Sequence, residues 1–155
     1  MSDMIEVVID SIRVSLMSQQ RIVILRERDA ERYLPIWIGV YEAEAITIAL
    51  QEVEVARPLT HDLVKNIFQQ LNARVVRVEV VALRDDTFYG NIVAEVNGRT
   101  LQIDSRPSDA LAVAVEVEFV CEIYWRTLQA GGPHILTAQQ MHDVKLKFVE
   151  YKKTS

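Results

Sequence analysis

The sequence predicts an α+β fold, a mixed or antiparallel sheet with three or more helices. Three observations lead there. Alternating β-branched runs and helix-periodic runs interleave without the regular strand–helix–strand spacing of a parallel fold. Asn97-Gly98 joins two alternating runs with the residue types of a type I′ hairpin turn, since both tolerate positive φ. Pro107 follows a strand-like run and precedes Ala110-Leu111-Ala112, where its fixed φ suits the first turn of a helix.

The elements follow in order. Residues 5–14 read as a first strand, and Ser18-Gln19-Gln20 turns the chain into a second over 21–25, paired as a hairpin. Residues 33–38 form a short third strand. Pro35 cannot donate a ladder bond, which assigns that strand to an edge or to a bulge. Gly39 closes it, and a helix is expected over 40–53. At 100° steps Ala43, Ala45, Ile46, Ala49, Leu50 and Val53 share one side, and Glu44, Thr47, Gln51 and Glu54 the other. Glu42 breaks this pattern. It falls inside the apolar arc, and a carboxylate on a buried face needs a partner.

A second helix is expected over 60–71, with Leu63, Val64, Ile67, Phe68 and Leu71 as its stripe. Residues 74–83 and 88–96 read as strands joined by Arg84-Asp85-Asp86-Thr87, and Asn97-Gly98 returns the chain into 100–104. In the helix that Pro107 opens, Ser105 or Ser108 can cap and Asp109 sits where the helix dipole favours an anion. Val113, Val115 and Val117 weaken its helical propensity. Residues 119–124 read as the next strand. Past Gly131-Gly132-Pro133 the composition shifts. Thr137-Ala138-Gln139-Gln140 has the form of a capping box, while residues 141–151 fit a strand and a helix equally. Lys145, Lys147, Lys152 and Lys153 make this end locally basic. The expected division is a main domain over 1–130 and a C-terminal extension over 131–155.

Bulk properties narrow the function. A chain of 155 residues, half of them hydrophobic, can bury one real core. Its net charge of −5 argues against a protein that coats nucleic acid, but not against an enzyme that handles one phosphate at a local site. No apolar run reaches membrane-spanning length, so no membrane role is expected, and the acidic start is not a secretory signal. Cys121 stands alone among apolar residues, which excludes a disulfide framework and suggests a cytoplasmic setting. No Gly-rich phosphate loop, serine nucleophile elbow or CxxC is present.

Two stretches echo each other: Arg57-Pro58-Leu59-Thr60-His61-Asp62-Leu63 and Arg106-Pro107-Ser108-Asp109-Ala110-Leu111. Each offers an arginine beside a helix N-terminus, where free backbone N–H groups and a guanidinium suit phosphate. Glu42, Asp62, Asp104 and Asp109 lie at element ends. Converging, they would hold a divalent ion such as Mg²⁺ through oxygen ligands. His61 could then act as general base, acid or ligand. The same residues also have a structural reading, in which Thr60 and Ser108 cap helices, the acids are first-turn anions, and the arginines pair with those acids. Trp37, Trp125 and Phe88-Tyr89 could stack on bases, although strand aromatics usually serve a core or a subunit contact. His134 and His142 have no metal-ligand spacing.

Leu34-Pro35-Ile36-Trp37-Ile38-Gly39 followed by Glu42-Ala43-x-Ala45-Ile46 resembles the bifunctional nuclease domain family. So do Arg57-Pro58-x-Thr60-His61-Asp62-Leu63 and Asp104-Ser105-Arg106-Pro107-Ser108-Asp109-Ala110-Leu111-Ala112, and the similarity covers residues 4–128. The resemblance implies a compact α+β domain with activity on DNA and RNA. It also implies motif residues Glu42, Arg57, Thr60, His61, Asp62, Asp104, Arg106, Ser108 and Asp109.

The combined expectation is a metal-assisted nuclease acting on single-stranded or flexible nucleic acid. Glu42, Asp62, Asp104 and Asp109 would hold Mg²⁺, Mn²⁺ or Ca²⁺. Arg57 and Arg106, with Thr60 and Ser108, would bind phosphate, and His61 would move a proton. A homo-oligomer is expected. One alternative is a non-enzymatic oligomeric module whose edge strand at 34–38 packs on another subunit. Another is a binder of a small anionic ligand.

Overall fold

The computed structural model describes residues 4–116, 122–126 and 135–151. Its strands are β1 (Met4–Ser15), β2 (Arg21–Glu27), β3 (Arg32–Ile38), β4 (Arg74–Arg84), β5 (Thr87–Val96), β6 (Arg99–Ser105), β7 (Glu122–Arg126), β8 (Leu136–Thr137) and β9 (Phe148–Glu150). Its helices are α1 (Val40–Leu50), α2 (Thr60–Gln70), α3 (Pro107–Glu116) and α4 (Ala138–Leu146). The strands form one mixed sheet in the order β6-β5-β4-β7-β1-β2-β3-β8, with β9 also on β1. Among the described residues only β4 and β7 run parallel; every other pairing is antiparallel. The α+β expectation therefore holds.

Both turn readings hold as well. Asn97 and Gly98 take φ of 50° and 76°, and Asp85 and Asp86 repeat the same positive-φ pair in the preceding hairpin. Pro35 pairs with Ile24 on β2, while the other side of β3 meets β8 only at Arg32 and Tyr33. Among the described residues nothing pairs with that side of Pro35, so no ladder donor is missed there.

One core lies between the sheet and α1 and α3. It gathers Val7, Val23, Leu25, Leu34 and Ile36 from the strands with Ala43, Ile46, Ala110, Leu111 and Val113 from the helices. A second, smaller core on the opposite face sits under α4 and joins Ile22, Ile24, Tyr33 and Met141. Helix α3 is buried on nearly all sides, so packing overrides the weak propensity of its valines. Gly90 makes room for this helix: a Cβ there would lie 3.1 Å from two backbone carbonyls and 3.3 Å from Pro107 Cα.

Several expectations need correction. Helix α1 ends at Leu50, not 53, because Glu52 turns into the left-handed region at φ 53°. Thr47, assigned to the polar side, is buried, with its hydroxyl donating to the Ala43 carbonyl at 2.8 Å, whereas Leu50 is exposed. Neither Ser105 nor Ser108 is the N-cap of α3. The first helical bond runs from the Ala110 N–H to the Arg106 carbonyl, which places Arg106 there. Along the edge strand Leu34 and Ile36 fill this chain's own core, while Trp37 is left exposed. Residues 135–151 settle their ambiguity by doing both: Thr137 caps α4 in a capping box with Gln140, and the strand β9 follows. The strand expected over 119–124 is seen as β7, Glu122–Arg126; residues 119–121, with Cys121, and His134, Lys152 and Lys153 lie outside the described residues. No helix among the described residues is long and apolar enough to cross a membrane.

Candidate active site

Three of the four acids occupy one kind of position. Counting from N-caps Gly39, Leu59 and Arg106, residues Glu42, Asp62 and Asp109 each stand third in their helix. An acid there can reach back to the free N–H groups of its own first turn. What distinguishes the three is how far each departs from that local role.

Asp62 keeps it. Its Oδ2 accepts from the Leu59 N–H at 2.8 Å. Its other partner is Glu116, at the end of α3. Burial raises both carboxyls of this pair. The bonds from Glu116 and the Leu59 backbone outweigh burial at Asp62, which ends below the usual range. Glu116 is pushed up to about 7 by burial and by the neighbouring Asp62.

Glu42 and Asp109 are drawn instead to Arg106. The Glu42 side chain is only 11 % exposed, and its Oε1 accepts from Arg106 Nη2 at 2.5 Å. The guanidinium also donates from Nε to Asp109 Oδ2 at 2.9 Å and from Nη2 at 2.8 Å. The other Asp109 oxygen, Oδ1, lies 2.8 Å from His61 Nε2. Burial raises the Asp109 carboxyl, but the bonds from His61 and Arg106 outweigh it and hold it below the ordinary carboxylate range. The acid is ionised, so Nε2 must carry the hydrogen and Nδ1 is left as the basic nitrogen. The Arg106 pKa is raised by Asp109 and then by Glu42.

The result is a continuous chain, Glu42–Arg106–Asp109–His61, that ties the N-termini of α1, α2 and α3 together. It borders a cleft of about 720 Å³, also lined by Tyr41, Thr60 and an apolar wall. Arg106 stands at a junction. A cleft of about 320 Å³ on one side includes Ser108, Trp37 and Phe88, and one of about 460 Å³ on another includes Thr60, His61 and Asp104. With its side chain 65 % exposed and Nε and Nη2 engaged, the arginine still offers the N–H groups of Nη1 to an anion.

The other expected residues are placed differently. Arg57 lines a neighbouring cleft of about 590 Å³ with Asp62, Lys65 and Glu116, whereas Arg106 lines the other three. Asp104 sits on β6 beside Ile103, which packs toward the helices. Asp104 lines the cleft of about 460 Å³ with His61 and Asp109, outside the Arg106 chain. Asp62 lines the separate Arg57 cleft, so the four acids do not share one cleft. Among the described residues no three carboxylate, histidine or cysteine side chains gather as a metal cage. Where Glu42 and Asp109 do meet, the cation between them is the Arg106 guanidinium. The donor set does not fit the expected divalent ion.

Sequence reasoning missed Gly39, Tyr41 and Glu116. A Cβ on Gly39 would overlap the Glu42 carboxylate, so the glycine makes room for that acid to fold over the helix start. The signal for Tyr41 was its spacing: Tyr41, Glu44, Ala45 and Ile48 form one face of α1, and all line the largest cleft beside Arg106. Glu116 was the polar residue closing an otherwise apolar helix. Trp125 is core, and Trp37, 60 % exposed, packs its ring near Phe148.

The family model of the bifunctional nuclease domain matches residues 23–130, which include the whole cluster. An uncharacterized protein of Mycobacterium tuberculosis is 41 % identical over 112 residues, or 72 % of this chain and 66 % of that protein. Bifunctional nuclease 1 of Oryza sativa subsp. japonica is 25 % identical over 114 residues, or 72 % of this chain and 34 % of that protein. The chain belongs to the bifunctional nuclease domain family.

Proposed function

We propose that the protein hydrolyses phosphodiester bonds of DNA and RNA at the Arg106 cleft. The observation that carries this reading is the Arg106–Asp109–His61 chain, in which one aspartate orients both an anion-binding guanidinium and an imidazole. Arg106 Nη1 binds a non-bridging phosphate oxygen and stabilises the charge that builds there. His61 Nδ1 takes a proton from water as that oxygen attacks phosphorus. The P–O bond to the departing strand breaks, and its oxygen is protonated from solvent. Asp109 holds the imidazole in the required tautomer, as a buried carboxylate does for a catalytic histidine. No step is assigned to a metal.

The test is turnover of labelled RNA and single-stranded DNA, with Mg²⁺, Mn²⁺ or Ca²⁺ and with EDTA. His61→Ala is expected to lower kcat by roughly 10²–10⁴-fold. Arg106→Lys keeps the charge but loses the planar fork, so it should raise KM and lower kcat with little change in Tm. Turnover that survives both substitutions belongs to a contaminant and overturns the assignment.

We also infer self-association, because α2 exposes Leu63, Ile67 and Leu71 at a spacing of four. Sedimentation of wild type against Ile67→Glu tests it. A single monomeric species in both ends that reading.

A further inference from the structure

Resting on the phosphodiesterase reading, we propose that the apolar wall of the Arg106 cleft is a nucleobase subsite in which Tyr41 stacks on an unpaired base next to the bound phosphate. The cleft combines two kinds of lining. Arg106 and His61 supply a polar part. Val55, Pro58 and Leu59, all of them exposed, supply an apolar part together with Tyr41. Tyr41 is 83 % exposed, although it precedes the buried Glu42 by one residue. A free tyrosine ring and an apolar wall leave a large apolar area in water beside a guanidinium. The ligand that matches is anionic at one end and flat and apolar at the other, which describes a nucleoside phosphate. The volume of about 720 Å³ falls within the usual range for small-molecule pockets and leaves space for a base and its sugar.

A base inside a duplex has both faces stacked on its neighbours and cannot offer one to Tyr41 without being extruded. An unpaired base has a face to give. The subsite thus makes strandedness a property of one side chain: single strands and loops bind, and paired segments are excluded.

The test uses the full chain and a short labelled single strand, the same strand with an abasic site beside the cleaved bond, and its duplex. For Tyr41→Ala the expected result is a rise in KM of about tenfold on the intact strand with kcat unchanged, as loss of one stacked base predicts. Tyr41→Trp should restore KM. On the abasic strand wild type and Tyr41→Ala should have the same KM, and the duplex should be cleaved least. Because Tyr41 is exposed, its replacement should leave Tm unchanged, which separates binding from folding. Unaltered KM in Tyr41→Ala on the intact strand, with wild-type turnover present, overturns the base subsite alone. Absence of wild-type cleavage and binding on every strand overturns the phosphodiesterase reading itself, and the subsite with it.

Discussion

At the scale of single residues, identical chemistry at identical helix positions leads to different roles, and the difference lies in what each side chain meets. Glu42 was conspicuous in the sequence because it fell on an apolar face, and its partner proves to be Arg106, 64 positions away. Nothing local announces that pairing. Asp104 is the reverse case: expected among the converging acids, it lines a cleft with His61 and Asp109 yet takes no part in the Arg106 chain. Asp62 looked like Asp109 in the sequence and parts from it only because Glu116 waits on its side of α2. Gly39 gives the sharpest test at this scale. Its φ of −71° and ψ of 160° suit any residue, so Gly39→Ala introduces no backbone strain. The new methyl would instead displace the Glu42 carboxylate from its place beside Arg106. We expect kcat/KM to fall roughly 10- to 100-fold, the cost of a misplaced phosphate-binding group, with Tm almost unmoved. Arg106→Ala differs. It strands a buried carboxylate and should destabilise the protein by about 1–3 kcal/mol in urea unfolding, besides abolishing turnover.

At the scale of elements, helix starts were legible and so was the end of α2, whereas the end of α1 was not. Proline, hydroxyl and acid signals mark the N-termini of α2, α3 and α4 to within a residue. The end of α1 has no glycine to announce it. Yet α1 and α2 close alike: the Val53 N–H bonds the Ile48 carbonyl and the Ala73 N–H bonds the Phe68 carbonyl, around Glu52 and Asn72 at φ 53° and 56°. Asparagine tolerates that conformation; glutamate does so at a cost. Glu52→Gly should therefore stabilise the chain by up to about 1 kcal/mol, less whatever the unfolded chain gains in freedom. Equilibrium unfolding checks the sign. The tie between α2 and α3 carries a pH signature. Glu116 has its folded pKa raised to about 7, so folding favours its protonated form. That stability is fully present below its ordinary unfolded value and is lost as pH rises toward 7. Asp62 is lowered and gives up its own contribution only at more acidic pH. Solvent beside the pair screens part of the effect, leaving on the order of 1–2 kcal/mol, a few degrees of Tm, between about pH 4.5 and 7. In Glu116→Gln, whose amide can still donate to Asp62, Tm should stay flat across that window. A slope that survives the substitution assigns the titration to another group.

At the scale of the whole molecule, one sheet serves two cores with separate duties. The face under α1 and α3 positions the helix N-termini that build the cleft. The face under α4 closes the sheet around β1, β2 and β3, with β8 and β9 supplying its outer pairings. The α+β class was readable because it follows from how periodicities interleave. The second core was not, because residues 141–151 satisfy a helix and a strand in turn, and only the sheet shows where one gives way to the other. This arrangement predicts that folding and chemistry can be damaged independently. Met141 is 1 % exposed and packs against Ile22, Ile24 and Tyr33, on the face away from Arg106. Met141→Ala removes buried atoms and leaves a cavity, which should cost about 2–5 kcal/mol in urea unfolding. Its kcat/KM, measured where the variant is still fully folded, should equal that of wild type, because the residues proposed to bind phosphate are held by the other core. If kcat/KM falls while the protein remains native, the strands shared by the two faces transmit the loss, and the separation argued here is wrong.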